Sequence, residues 1–109
     1  MSDYGKIRQA ILDRDIVTAT YDGYYREVCP HAVGREEGRE KLFCYQFGGE
    51  TSKGSVELQP ALSRWRCLFI DQMHNVSVRA ARGQWHTADN HSRAQTCIKA
   101  ANIDVEVSY

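Results

Sequence analysis

A chain of 109 residues, 42% hydrophobic and 26% charged, has the length of one domain and the composition of one that buries a core. Its 14 Lys and Arg balance its 14 Asp and Glu, which excludes a whole-chain attraction to nucleic acid or acidic membranes. No apolar run approaches the roughly 20 residues needed to cross a bilayer, and the N-terminus, MSDYGKIRQA, has no apolar export core, so a cytoplasmic protein is expected.

The first element is a helix. Asp3 is a candidate cap, and Tyr4, Ile7, Ile11 and Leu12 recur at helical spacing over about residues 4 to 13. The β-branched and aromatic run DIVTATYDGYYREVCPH follows, divided by Asp22-Gly23, a strong hairpin signal. It predicts antiparallel strands near 16 to 21 and 24 to 33. Pro30 has no N–H to give to a ladder, so its strand is expected at an edge or bent there. The charge-balanced GREEGREK reads as an exposed loop.

The next predicted strand, Lys41 to Phe47, sets Phe43, Tyr45 and Phe47 on one face and Leu42, Cys44 and Gln46 on the other. Both faces are largely apolar, which predicts a central position. A long loop is expected from Gly48 to about Ser63, and loops of that length are often functional. RWRCLFIDQM then alternates again, Trp65, Cys67 and Phe69 against Arg66, Leu68 and Ile70, before His74 and Asn75 turn into VSVRA. The sum is a mainly β chain with flanking α: a small SH3-like or Sm-like five-stranded antiparallel barrel with an N-terminal helix. A C-terminal helix-strand extension over 80–109 completes the single domain, with a helix in SRAQTCIKAAN and a half-buried strand in IDVEVSY.

Helix, CPHAVG turn, EKLFCYQF and RWRCLFIDQM together resemble a WYL domain, the SH3-like barrel attached to many bacterial transcriptional regulators. The resemblance covers about residues 4 to 79. Leu42 matches the Leu of the family's Trp-Tyr-Leu triplet, Arg66 its anion-facing Arg, and Asp71 the Asp that ends the fourth strand. Glu40 and Lys41 stand in place of the Trp and Tyr, Gln72-Met73 in place of Arg-Ile, and no complete helix-turn-helix precedes the barrel. The resemblance implies a ligand-binding or regulatory module for a nucleic-acid fragment or nucleotide-like anion, in transcriptional or defence-related regulation. Arg66, His31, Tyr45 and Gln46 would form its site, with Ser52 and Arg64 at the rim.

The chemistry of these residues is compatible with that role. A guanidinium offers paired donors to phosphate, and an aromatic ring offers a base a stacking surface. From Arg64 to Lys99, six cations stand against Asp71 and Asp89, a local net of +4. Gly48-Gly49 with Thr51, Ser52 and Gly54 would admit a phosphate to backbone N–H groups but lacks the ending of a nucleotide P-loop. The bland readings are a core role for Tyr45, a structural surface charge for Arg66 and a simple strand connection for the glycines. Cys29-Pro30-His31, His86 and His91 match no common zinc spacing, and Cys29 with His31 lacks a third catalytic group, so no cofactor, metal or enzymatic activity is expected. The four cysteines, Cys29, Cys44, Cys67 and Cys97, form no C-x-x-C pair and are expected as thiols. The alternative is a protein–protein interaction or self-assembly module, a possible homo-oligomer, in which the IDVEVSY strand extends a neighbouring sheet.

Overall fold

A computed structural model describes residues 3–56, 64–83, 85 and 97–107. The helix α1 spans Asp3–Asp13 and buries Tyr4, Ile7, Ala10 and Ile11. Leu12, expected on that face, is 55% exposed. It stands about 100° round the helix from Ile11, and Ala10 takes the place beside the apolar stripe.

Among the described residues seven strands follow. They are β1 (Ile16–Tyr21), β2 (Tyr24–Glu36), β3 (Arg39–Thr51), β4 (Gly54–Ser55), β5 (Trp65–Phe69), β6 (His74–Arg79) and β7 (Ile103–Glu106). All pairings are antiparallel. β1, β2, β3 and β5 run as a meander, and after a 3-10 turn at Ile70–Gln72 the chain returns as β6 to pair with β1. This is a curled sheet in the order of a small five-stranded barrel, flanked by a helix. Tyr21 helps to join its ends: its hydroxyl accepts from Phe69 N at 3.2 Å and donates to Gln72 Oε1 at 3.2 Å.

β2 and β3 are longer than expected because GREEGREK is the tip of their hairpin and not a loop. The register sets Arg35 against Glu40 and Glu36 against Arg39, so the balanced charges are cross-strand partners. The turn is the dipeptide Glu37-Gly38, both at positive φ like Asp22-Gly23, as two-residue hairpins of primed type require. Similarly, Gly48 to Thr51, expected as the start of a long loop, continues β3. Ser52-Lys53 then turns the chain into β4. β3 is central, with β2 on one side and β5 and β4 on the other.

On its other side β2 changes partner midway. Its first half pairs with β1 as far as Val28, and β7 begins at Ala32. Pro30 falls in the gap between them, where no ladder N–H is needed, and a register shift between Pro30 and Ala32 makes His31 a bulge. Pro30 therefore lies in a bend, as expected. β7 pairs with β2 along one edge, within the chain's own sheet.

The inward face joins α1 to the barrel through Ile7, Ile11, Val17, Val28, Leu42, Cys44, Leu68, Ile70 and Val107. A smaller outward cluster, Ala32, Phe43, Cys97 and Ile98 with Trp65 and Ile103, lies beneath the C-terminal segment. Residues 97–102 contain one 3-10 turn, Ala100–Asn102, in place of helix, and the rest of the expected C-terminal helix lies outside the described residues. In IDVEVSY, Val105 and Val107 face the inward core and Asp104 and Glu106 are exposed, as expected, but a register shift between Val33 and Gly34 sets Ile103 against the outward cluster, and Ser108 lies outside the described residues.

The cysteine expectation is corrected. Cys67 and Cys97 form a disulfide, with Cα atoms 5.4 Å apart, and Cys29 and Cys44 are buried thiols outside any disulfide. A separation of 30 residues gives no hint of the pair. The return of the chain across β5 creates it.

Candidate functional site

Strand alternation divides the residues singled out by sequence. Val28 of β2 pairs with Gln46, and Cys44 pairs with Arg66 of β5. Gln46 and Arg66 therefore share the inward row with Val28, Cys44 and Leu68, at the same end of their strands. Tyr45 and Trp65, themselves a pair, point outward.

At the inward end a polar cluster replaces the aliphatic core. Gln46 is fully buried, and its Nε2 donates to the carbonyls of Gly48 at 3.0 Å and Glu50 at 3.3 Å. Its Oε1 accepts from two guanidiniums, Arg26 Nη1 and Arg66 Nε, each at 3.3 Å. Arg26 is 7% exposed, donates also to Tyr21 O at 3.4 Å and lies 5.3 Å from the Tyr21 ring centroid. Among the described residues Arg26 has no carboxylate partner. Arg66 is half-buried and donates to Trp65 O at 3.4 Å. Burial, and after it the charge of Arg26, lower the pKa of Arg66 from its ordinary value. Burial also pushes the Cys44 thiol beside them well up, so it stays protonated.

Sequence reasoning missed Arg26. Its signal was weak but present: two residues before Val28, it shares that residue's inward face.

The glycines have a structural task here. A register shift between Glu27 and Val28 makes a bulge opposite β2 at Phe47, just before Gly48-Gly49. Gly49 has φ +86°, and a Cβ there would run into the Tyr25 carbonyl and the Arg26 Cα. The pair thus brings β3 close against β2 and leaves the Gly48 and Glu50 carbonyls to Gln46.

The outward set is aromatic. His31 is fully buried, with its ring 4.8 Å from Trp65, 4.5 Å from Trp85 and 6.4 Å from Phe43. Its Nδ1 lies 2.8 Å from the Cys29 carbonyl, so this nitrogen carries the proton and donates. Phe43 stacks on Trp65 at 5.0 Å, and Tyr45 meets the same indole edge-on at 5.1 Å. Tyr45 is 6% exposed. Ser52 lies exposed in the β3–β4 turn, and Arg64 is half-buried just before β5.

The structure therefore brings Gln46 and Arg66 together, adds Arg26, and sets His31 and Tyr45 on the opposite face as wall residues of the Trp65 cluster. Among the described residues no three His, Cys, Asp or Glu side chains gather at metal-binding spacing, and His86 and His91 lie outside those residues. Comparison with protein-family models, curated proteins and solved structures found no match for this chain.

Proposed function

We propose that this protein is a ligand-binding module of WYL type that recognises a nucleic-acid fragment or nucleotide-like anion at the inward polar end of its barrel, in a transcriptional or defence-related regulatory setting. The observation that carries the reading is the meeting of Arg26 and Arg66 at one uncharged oxygen, Gln46 Oε1. Two guanidiniums sharing a neutral acceptor repel one another in a setting where burial weakens solvent screening. An oxyanion relieves that repulsion and accepts charge-assisted bonds from guanidinium N–H groups.

The roles follow from exposure. Half-exposed Arg66 makes the contact, with Arg64 and Ser52 as rim residues that steer a phosphate towards it. Arg26 and Gln46, both buried, are positioning residues: one adds positive potential behind Arg66, and the other fixes the angle of both guanidiniums. Tyr45 and His31 support the site indirectly, through Trp65 and the backbone of β5.

The test is binding of a labelled, mixed-sequence, single-stranded oligonucleotide at two salt concentrations. Binding held by phosphate contacts weakens as salt rises, with a logarithmic slope of about −0.7 per contact. Arg66→Ala should weaken binding about equally for all base sequences and reduce that slope by about one contact. Salt-independent affinity, or an unaltered Arg66→Ala variant, refutes the proposal.

A further inference from the structure

The disulfide joins two unlike environments. Cys67 is an exposed, outward-facing residue of β5, whereas Cys97 is 8% exposed and begins the C-terminal segment that crosses the outer face of the sheet. A dissolved thiol can therefore approach one sulfur of the pair.

Near Cys97 the segment is also held by Ile98, fully buried in the outward cluster, and by polar contacts. Lys41 Nζ donates to Cys97 O at 3.3 Å, and Lys99 N donates to Glu36 Oε1 at 2.6 Å. β7 pairs with β2, Val107 N donates to His31 O at 2.8 Å, and Tyr4 Oη donates to Asp104 at 2.7 Å. The disulfide is thus the covalent hold at the Cys97 end. What lies under that end is apolar: Ala32, Phe43 and Trp65 are covered by Cys97, Ile98 and Ile103, and this outward cluster is complete only with the segment in place. The other two cysteines are buried, so they stand outside any exchange at the surface.

From this asymmetry we infer that Cys67–Cys97 is a reducible latch: a dithiol reductant opens it and releases the 97–99 end of the C-terminal segment from the outer face, while the barrel stays folded. In the reaction, one reductant thiolate attacks Cys67 Sγ, the S–S bond breaks, and Cys97 leaves as a thiolate that takes a proton from solvent. The second reductant thiolate then attacks the mixed disulfide and frees Cys67. The protein gains two electrons and two protons, and the reductant leaves as its own disulfide. The barrel can outlast this step because its inward core draws on α1 and six strands' worth of hairpin and ladder contacts that do not pass through the disulfide.

The experiment uses the full chain, air-oxidised and then treated with dithiothreitol. Before reduction, maleimide under native conditions should label no cysteine. After reduction it should label Cys67 and Cys97 and leave Cys29 and Cys44 untouched, as read by peptide mass spectrometry. Amide exchange of residues 97–99 should then speed up at least tenfold with β1 and β2 unchanged, and tryptophan emission should shift to the red. The Cys67→Ser, Cys97→Ser variant should show the fast exchange without reductant and no response to it. Three results would overturn the latch: four labelled thiols in the oxidised protein, unchanged exchange at 97–99 after reduction, or acceleration throughout the chain, which would make the disulfide a staple of the whole fold.

Discussion

Replacing Gln46 tests whether one buried amide organises the polar end of the barrel. Its carboxamide makes four hydrogen bonds, two to carbonyls of its own strand and two from the guanidiniums of Arg26 and Arg66. A net of about 1 kcal/mol for each neutral bond and about 1.5 for each charged one sets an upper bound of about 5 kcal/mol. Two donors sharing one oxygen at 3.3 Å are weaker than two separate bonds, which lowers the expectation to about 3–4 kcal/mol. Gln46→Met keeps the volume and removes all four bonds, so it isolates this polar contribution from the cost of a cavity. Urea unfolding followed by circular dichroism is the assay. With a slope of about 1.5 kcal/mol per molar for a small domain, the midpoint should fall by roughly 2 M. Ser52→Ala, at an exposed turn position, should leave it in place. A Gln46→Met midpoint within about 0.5 M of wild type, in an assay with that slope, would refute the view that the amide holds the two arginines.

Four further outcomes are expected. Gly49→Ala should cost well over 2 kcal/mol because a Cβ meets Tyr25 and Arg26 backbone, whereas Gly38→Ala, with open space around it, should cost about 1 kcal/mol for its positive φ alone; thermal melts separate them. Ile11→Ala should lose about 2–5 kcal/mol and Leu12→Ala under about 0.5, since one side chain is buried and its neighbour exposed. Glu36 and Asp104 have carboxyl pKa values lowered from 4.5 and 3.8, chiefly by the Lys99 backbone N–H and the Tyr4 hydroxyl respectively. The stability they contribute is complete above those unfolded values and is lost as pH falls through the lower folded ones, so amide protection in 99–107, corrected for the intrinsic exchange rate at each pH, should fall in acid, and less so in Glu36→Gln and Asp104→Asn. Burial, with the bond to Asp104 second, pushes the Tyr4 phenol up to about 12. Its share of stability is complete below pH 10 and lost as pH rises through about 12, and absorbance at the phenolate band should show a late-titrating tyrosine missing from Tyr4→Phe.

The sequence by itself determined the local grammar of this protein. The 3.6-residue stripe fixed α1, Asp22-Gly23 fixed the first hairpin, and the two-residue period set Leu68 inward on β5, Ile70 inward just after it, and Val105 and Val107 inward at the C-terminus. These are properties of neighbouring residues, so they survive without knowledge of the fold. GREEGREK misled because a balanced charge run has the same composition in a solvated loop as in a cross-strand ladder, and only register distinguishes them.

What joins distant segments was decided by tertiary structure alone. Alternation placed Arg66 with Leu68, but nothing in the chain order said that Arg26 would face it across β3, or that both would meet at Gln46. Nor did it say that His31 would bulge where β2 exchanges β1 for β7, or that Cys97 would come back over Cys67. Each of these follows from the curl of a sheet whose two long strands change partners midway. That curl arises from packing summed over the whole core, and a short window of sequence carries no record of it.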